Sequence, residues 1–412
     1  MIDYYETKEH PITKKMILEA YKEIKANGKA AGVDGQSLEG YAQKLPENLY
    51  KLWNRMTSGS YMPSLVREKK IPKKTGGTRS LGIPTVEDRI AQQVVKRQLE
   101  GKAEESFHAD SYGYRKGKNT HQALNAAAGR CHYYAWAVDL DIKAFFDTID
   151  HGLMMKALRK YTNEKWVLMY VERWLKAGVM KEGGGVVERT TGTPQGGVLS
   201  PLLANMFLHF AFDMWLKRHY PQIPFERYCD DAIVHCRSEK QALYIRDKIA
   251  GRMKECRLEL NMNKTQIVYC RNELHKERHK KVSFDFLGHT FQPRRCRTKS
   301  GDRLLFQPVM SRKAKKNIMD KIREMRIHQK KISIQEMAEL LNRKVRGRMN
   351  YYCEFNGRST RNLWWMLNLR LLQWVRSNRK FNLLRAIRWL KGVYKTQPRL
   401  FAHWEITRPK PS

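Results

Sequence analysis

Residues 228–231 read Tyr-Cys-Asp-Asp and lie between two alternating apolar stretches, Phe225-Glu-Arg-Tyr-Cys and Ala232-Ile-Val-His-Cys. Upstream stands Ala137-Val-Asp-Leu-Asp-Ile-Lys-Ala-Phe-Phe-Asp, where Asp141 closes an apolar run of Trp136, Val138 and Leu140. Alternation on both sides of an Asp-Asp pair predicts a hairpin with adjacent carboxylates at its tip, and a separate strand supplies a third. Each piece also has an ordinary reading, since Asp tolerates turn backbone and hydrogen-bonds locally. The set says more, because a carboxylate at the end of an apolar strand is costly if buried without compensation. Oxygen donors from two distant segments suit hard Mg²⁺ ions, which take carboxylates, water and phosphates. Two such ions, held by Asp141, Asp230 and Asp231, can clamp the attacking and leaving oxygens of an in-line phosphoryl transfer. The chemistry indicated is nucleotidyl transfer.

Elements must carry these carboxylates. A first helix is expected over Lys14–Asn27, with Thr13 as N-cap, Gly28 as its stop, and Ile17, Leu18, Tyr21 and Ile24 on one stripe. Residues 60–84 read as an extended hairpin turning at Gly76-Gly77. Thr85-Val-Glu-Asp88 has the form of a capping box opening a helix through about Leu99. Between residues 106 and 290, strands alternate with helices expected at 151–160, 163–177, 199–216 and 240–256, and Gly183-Gly-Gly185 is a turn before a short strand. From residue 311 the pattern is helical, with Ser311 and Thr360 as caps and Ser333-Ile-Gln-Glu336 as a capping box. Tyr351, Tyr352, Phe355, Trp364, Trp365, Trp374 and Trp389 stand among cations there; most are expected in the helix core.

The 412 residues are enough for two or three domains. Their net charge is +38, placed unevenly: residues 289–412 hold 31 Lys/Arg against 7 Asp/Glu. A field of that size draws polyanions, and nucleic acid is the natural partner because each neutralised phosphate releases counterions. A membrane partner is not expected, since no 18-residue apolar run exists. Seven scattered Cys without C-x-x-C spacing indicate neither disulfides nor zinc, and reduced cytosolic thiols are the default. The polar start Met1-Ile-Asp-Tyr-Tyr-Glu predicts no signal peptide.

An ordered series of motifs resembles reverse transcriptases of the group II intron-encoded type. Ala31-Gly-Val-Asp-Gly and Ile71-Pro-Lys-Lys-Thr-Gly-Gly-Thr-Arg-Ser-Leu-Gly-Ile-Pro-Thr resemble that family's fingers. Ser111-Tyr-Gly-Tyr-Arg-Lys-Gly-Lys-Asn-Thr-His-Gln-Ala-Leu is similar to a segment distinctive of the lineage, and Asp141-Ile-Lys-Ala-Phe-Phe-Asp to its first palm motif. Thr193-Pro-Gln-Gly-Gly-Val-Leu-Ser-Pro-Leu-Leu-Ala-Asn, Tyr228-Cys-Asp-Asp, Leu260-Asn-Met-Asn-Lys-Thr and Phe286-Leu-Gly-His follow in the family's order. Three departures stand out: Cys229 replaces the usual alanine, Arg115-Lys-Gly-Lys lacks a proline, and Arg348 stands where Trp is usual.

The resemblance implies an α+β right-hand polymerase: N-terminal extension and fingers over 1–105, palm over 106–290, and a basic helical thumb or maturase domain over 291–412. It implies Asp141, Asp230 and Asp231 as ligands of two Mg²⁺ ions, Phe146 as a steric gate against a ribose 2′-hydroxyl, and Gln195 beside the incoming nucleotide. Lys73 and Arg79 would cradle its triphosphate. Arg115, Lys264, Arg343, Lys344, Arg346 and Arg348 are the cations expected to touch nucleic acid. The implied partners are dNTPs, an RNA template with a DNA primer, and structured intron RNA whose splicing and mobility the chain would assist. The implied setting is the bacterial cytoplasm, with an oligomer possible. No paired Cys or His cluster follows Cys353, which predicts that an HNH nuclease is absent. Two rivals are a host-adopted reverse transcriptase in DNA repair or phage defence, and an RNA-binding splicing factor whose polymerase has decayed; retention of all three carboxylates argues against the second.

Overall fold

Buried Ile, Val and Leu at alternate or helical spacing set the elements of the computed structural model, which describes residues 10–27, 30–72, 77–298 and 301–409. By its internal contacts the chain divides into two units. The first comprises Met1–Asn119, Val138–Val234 and Lys240–Gln266; the second comprises Thr120–Ala137, His235–Glu239 and Ile267–Ser412.

In the first unit, helix Lys14–Asn27 forms as expected and the Thr13 hydroxyl accepts from the Met16 amide (3.2 Å). Strands β1 (Val66–Pro72) and β2 (Thr78–Ile83) pair antiparallel from Arg67↔Ile83 to Pro72↔Thr78. Gly28 and Gly76 lie outside the described residues. The helix after this hairpin, Val86–Ser106, outruns the expected end at Leu99 because Ala103 continues its buried stripe of Ile90, Val94 and Leu99. Thr85 caps it, but the capping box is only half made. Asp88 is too short to reach back to the cap amide, and its carboxylate takes the Tyr61 and Thr85 hydroxyls instead.

Strand β3 is Trp136–Leu140; the short strands β4 (Val179–Met180) and β5 (Val186–Val187) extend the β1–β2 sheet in the order β2-β1-β4-β5. Strands β6 (Phe225–Tyr228), β7 (Asp231–Cys236) and β8 (Gln266–Tyr269) join β3 in a second sheet of order β6-β7-β3-β8. Helices His151–Leu158, Lys165–Lys176 and Glu239–Glu255 fall where expected. The helix expected over 199–216 is interrupted: Ser200–Leu208 is α, His209–Asp213 is a π turn, and Met214–His219 is α again. Two carbonyls of the π turn, those of Phe210 and Ala211, accept from the Arg252 guanidinium (3.3 and 3.2 Å).

The second unit carries β9 (Phe284–Phe286), β10 (His289–Thr298) and β11 (Gly301–Met310), ordered β11-β10-β9. The β10–β11 hairpin, with ten residues in each strand, occupies the start of the stretch 291–412 expected as a helical domain, and the helical pattern expected from residue 311 follows it. Its cations, Arg294, Arg295, Arg297 and Arg303, mask an alternation that a hydrophobic pattern would have revealed. Helices follow at Arg312–Glu324, Ile334–Asn356, Arg361–Arg379 and Leu383–Thr396. Ser311 caps the first, and the Ser333–Glu336 box is fully formed. Thr360 precedes the third without capping it, because its hydroxyl donates to the Gly357 carbonyl and accepts from Trp364. Met337, Leu341, Val345, Leu367, Leu371, Trp364, Trp374, Phe401 and Trp404 form this unit's core.

Candidate active site

Tyr228 pairs with Asp231 across the β6–β7 hairpin, so Cys229 and Asp230 are its two turn residues. Two-residue hairpin loops require positive φ, which glycine adopts freely and a side chain resists. Cys229 nonetheless sits at φ +60°. Its conformation is held from behind. Arg227 is 1% exposed, and its Nη1 donates to the Cys229 carbonyl (3.0 Å). The same guanidinium forms a two-pronged pair with fully buried Asp213, Nε to Oδ1 at 2.7 Å and Nη2 to Oδ2 at 2.6 Å. It also donates to Asn205 Oδ1 (3.0 Å) and Ser111 Oγ (2.8 Å).

The segment around Ser111 runs beside β6 in parallel: the Tyr112 amide donates to the Arg227 carbonyl (2.8 Å) and the Arg227 amide to the Asp110 carbonyl (2.9 Å). A Cβ on Gly113 would lie 2.5 Å from the Cys229 nitrogen, so only glycine permits this approach. Asn205 fixes the segment further by donating to the Gly113 carbonyl (2.7 Å). Tyr114 follows at φ +57°, more than half exposed, with its ring 6.4 Å from that of Tyr228. The sequence reading missed Arg227, Asp213, Asn205 and Gly113. The available signal was the charged pair Glu226-Arg227 inside a hairpin strand.

Asp141 comes directly after β3. Its carbonyl accepts from the Asn261 amide (2.7 Å) and its amide donates to the Thr265 hydroxyl (3.4 Å). That same loop brings Lys264 Nζ to 3.5 Å from Asp141 Oδ2. Asp231 is exposed at the end of the hairpin, with protein crowded around it. This desolvation, reinforced by the negative charges of Asp230 and then Asp141, lifts its carboxyl to about 6 against the opposing pull of Lys264. Among the described residues no three His, Cys, Asp or Glu side chains converge on one ion-sized point. The donor set still fits hard divalent cations. It is all oxygen, it is mutually repelling, and the exposed Lys264 only partly offsets its charge.

Gln195 and Arg79 are brought together. The Gly82 amide of β2 donates to the Gln195 carbonyl (3.0 Å), and Arg79 Nε donates to Gln195 Oε1. The preceding Thr193 amide donates to the Phe146 carbonyl (2.7 Å), which ties this loop to the segment after Asp141. Phe145 and Phe146 begin a single helical turn entered through Ala144 at φ +43°. Both are buried, at 2% and 7% exposure, and Phe145 packs 6.4 Å from Phe207. Lys73 lies outside the described residues.

The expected nucleic-acid cations divide. Arg115 is committed to the fold: its guanidinium pairs with Glu104 (2.7 Å) and donates to the His108 and Ser111 carbonyls (both 2.7 Å), which corrects its reading as a nucleic-acid contact. Lys264 belongs to the carboxylate cluster. Arg343, Lys344 and Arg346 are exposed on helix Ile334–Asn356. Arg348 is half-buried with Nη1 unpartnered, and burial lowers its pKa.

Residues 71–291 match the family "Reverse transcriptase (RNA-dependent DNA polymerase)". The chain belongs to that family. Residues 315–394 of this reverse transcriptase match the group II intron maturase-specific domain. Protein YkfC of Escherichia coli K12 is 30% identical over 309 residues, 65% of this chain and 77% of that protein. The group II intron-encoded protein LtrA of Lactococcus lactis subsp. cremoris is 34% identical over 193 residues, 46% of this chain and 32% of LtrA. The putative COX1/OXI3 intron 1 protein of Saccharomyces cerevisiae is 30% identical over 204 residues, 49% of this chain and 24% of that protein. This reverse transcriptase thus spans about a third or less of the last two. The fold is the right-hand polymerase type, with an α+β palm and a largely helical thumb. No described helix is long and apolar enough to cross a membrane.

Proposed function

We propose that this reverse transcriptase extends a DNA primer on an RNA template with dNTPs, and that it binds group II intron RNA to assist splicing and mobility. The observation that supports the polymerase reading is the placement of Asp141 at the end of β3 and of Asp230 and Asp231 at the tip of the neighbouring β6–β7 hairpin, where burial, and then the charges of Asp230 and Asp141, lift the Asp231 carboxyl to about 6. Those three side chains would hold two Mg²⁺ ions, which when bound would activate the primer 3′-hydroxyl and stabilise charge on the α-phosphate. The chain's own residues orient the reactants. Arg79 offers a planar fork to the triphosphate, and Gln195, held by the Gly82 amide, fixes the nucleotide beside it. Phe146 would crowd the 2′ position of the sugar, excluding a ribonucleotide by overlap. The maturase reading is supported by the match over residues 315–394 and by the exposed cations Arg343, Lys344 and Arg346.

Primer extension on poly(rA)–oligo(dT) tests the site. Asp230→Ala is expected to abolish extension while RNA affinity in filter binding stays within about twofold, because binding rests on cations elsewhere. Full extension by the variant would overturn the assignment of the carboxylates.

A further inference from the structure

Of the two adjacent tryptophans in helix Arg361–Arg379, Trp364 is fully buried and bonded through Nε1 to the Thr360 hydroxyl (2.9 Å). Trp365 points away from that stripe and is 40% exposed. That ring lines a cavity of about 790 Å³ within the second unit. Arg361 lies one helical turn before it on the same helix, Lys391, Tyr394 and Lys395 line the wall from helix Leu383–Thr396, and Arg408 closes it from the C-terminal segment.

Among the described residues none of the four cations has a carboxylate within ion-pairing distance, although Glu405 also lines the cavity. Arg408 instead lies over the Tyr394 ring, 6.0 Å from its centroid. The walls are fixed before any ligand arrives: Asn368 donates to the Thr407 carbonyl (3.0 Å), and the Thr407 hydroxyl donates to the Arg361 carbonyl (3.3 Å). A flat aromatic face, unneutralised cations around it and a volume in the range of small-molecule sites form a combination suited to one class of ligand. That class is a base with phosphates on either side.

We propose that this cavity is a subsite for a single unpaired nucleotide of RNA, such as a bulged base, stacked on Trp365 with its flanking phosphates held by Arg361, Lys391, Lys395 and Arg408. The proposal rests on the reading of the second unit as an RNA-binding one. It differs from general backbone attraction because stacking needs a base out of its helix, whereas dispersed cations take a paired duplex equally well.

The test uses the full chain and two hairpin RNAs, one fully paired and one carrying a single bulged 2-aminopurine. The wild type is expected to bind the bulged hairpin more tightly and to quench its fluorescence. Trp365→Ala should lose that preference by about five- to hundredfold, the range for removing one stacking platform, while Trp365→Phe keeps most of it. Primer extension on poly(rA)–oligo(dT) should be unchanged in both variants, which also shows that they fold. Lys391→Gln with Lys395→Gln, both on a helix surface, gives an independent check: affinity for the bulged hairpin should fall more than that for the paired one. An unchanged bulge preference in Trp365→Ala would overturn the subsite while leaving general RNA binding intact. An equal preference for a bulged DNA hairpin would overturn the assignment to RNA. Failure of the wild type to bind either RNA hairpin would instead defeat the RNA-binding reading beneath it.

Discussion

Replacing Arg227 with Met leaves the Asp213 carboxylate fully buried without its partner, and frees the Cys229 carbonyl, Asn205 Oδ1 and Ser111 Oγ. Both partners are inaccessible, at 1% and 0% exposure, so solvent cannot screen the loss. Breaking such a pair from one side costs about 3–5 kcal/mol, a large share of the roughly 5–15 kcal/mol that holds a domain together. The double variant Arg227→Met with Asp213→Leu removes both charges, and most of that cost should disappear, because apolar replacement of a whole buried pair is often neutral. Activity should behave differently. Neither variant restrains the carbonyl of the strained Cys229, so the Asp230–Asp231 tip is released in both, and displacement of a reacting group by about 1 Å costs on the order of 10²-fold in turnover. Urea unfolding of wild type, single and double variants, paired with single-nucleotide insertion kinetics, reads the two effects separately. If the double variant is as unstable as the single one, the buried pair does not set the energy. If the double variant turns over like the wild type, Arg227 does not position the hairpin.

Gly113→Ala should lower primer extension by about 10²-fold with a stability loss of about 1–3 kcal/mol, since the added Cβ meets the Cys229 backbone and not a pliable side chain; single-nucleotide insertion kinetics check the turnover and urea unfolding the stability. Phe146→Val should raise rNTP incorporation relative to dNTP in paired insertion assays, whereas Phe145→Val should cost on the order of 2–3 kcal/mol with no change in sugar preference. His289 is buried among Tyr351, Tyr352 and Phe355, and this burial pushes its pKa down to about 4 from an unfolded value near 6.5. Its neutral form is the folded one, so the second unit's stability should be full above about pH 6.5, fall by up to roughly 3 kcal/mol as pH drops toward 4, and then level off. His289→Phe should flatten that profile in thermal unfolding. Arg348→Met should stabilise the second unit by about 1 kcal/mol by removing an unpartnered buried Nη1, read as a raised melting temperature.

The features legible in the sequence are those fixed by neighbours in the chain. The hairpin around Cys229-Asp230, the Thr13 and Ser311 caps and the Ser333–Glu336 box follow from local spacing, and all form. What supports the hairpin was not legible, because Arg227 meets Ser111, Asn205 and Asp213 only after three separate segments have folded together. The same reason hides the task of Arg115, which reads as a phosphate contact until Glu104 lies against it. Trp364 and Trp365 look alike in a string of letters; a rotation of one residue around the helix sends one into the core and the other into a cavity wall.

The π turn at His209–Asp213 acts as a phase shifter. Upstream of it, Leu202, Leu203, Met206 and Phe207 set the rotation of the helix; downstream, Leu216 anchors it with a different one. The extra residue in the turn absorbs the mismatch, and Asp213 is delivered to Arg227 at its end. Such an offset has no halfway form, because one residue removed would swing everything after it by about 100° and carry the carboxylate away from the guanidinium. The arrangement behind the Asp-Asp tip is therefore a discrete character of the chain. It can be gained or lost in a single insertion or deletion, and the Arg252 guanidinium on the loosened carbonyls of Phe210 and Ala211 is the fixture that makes the inserted state habitable.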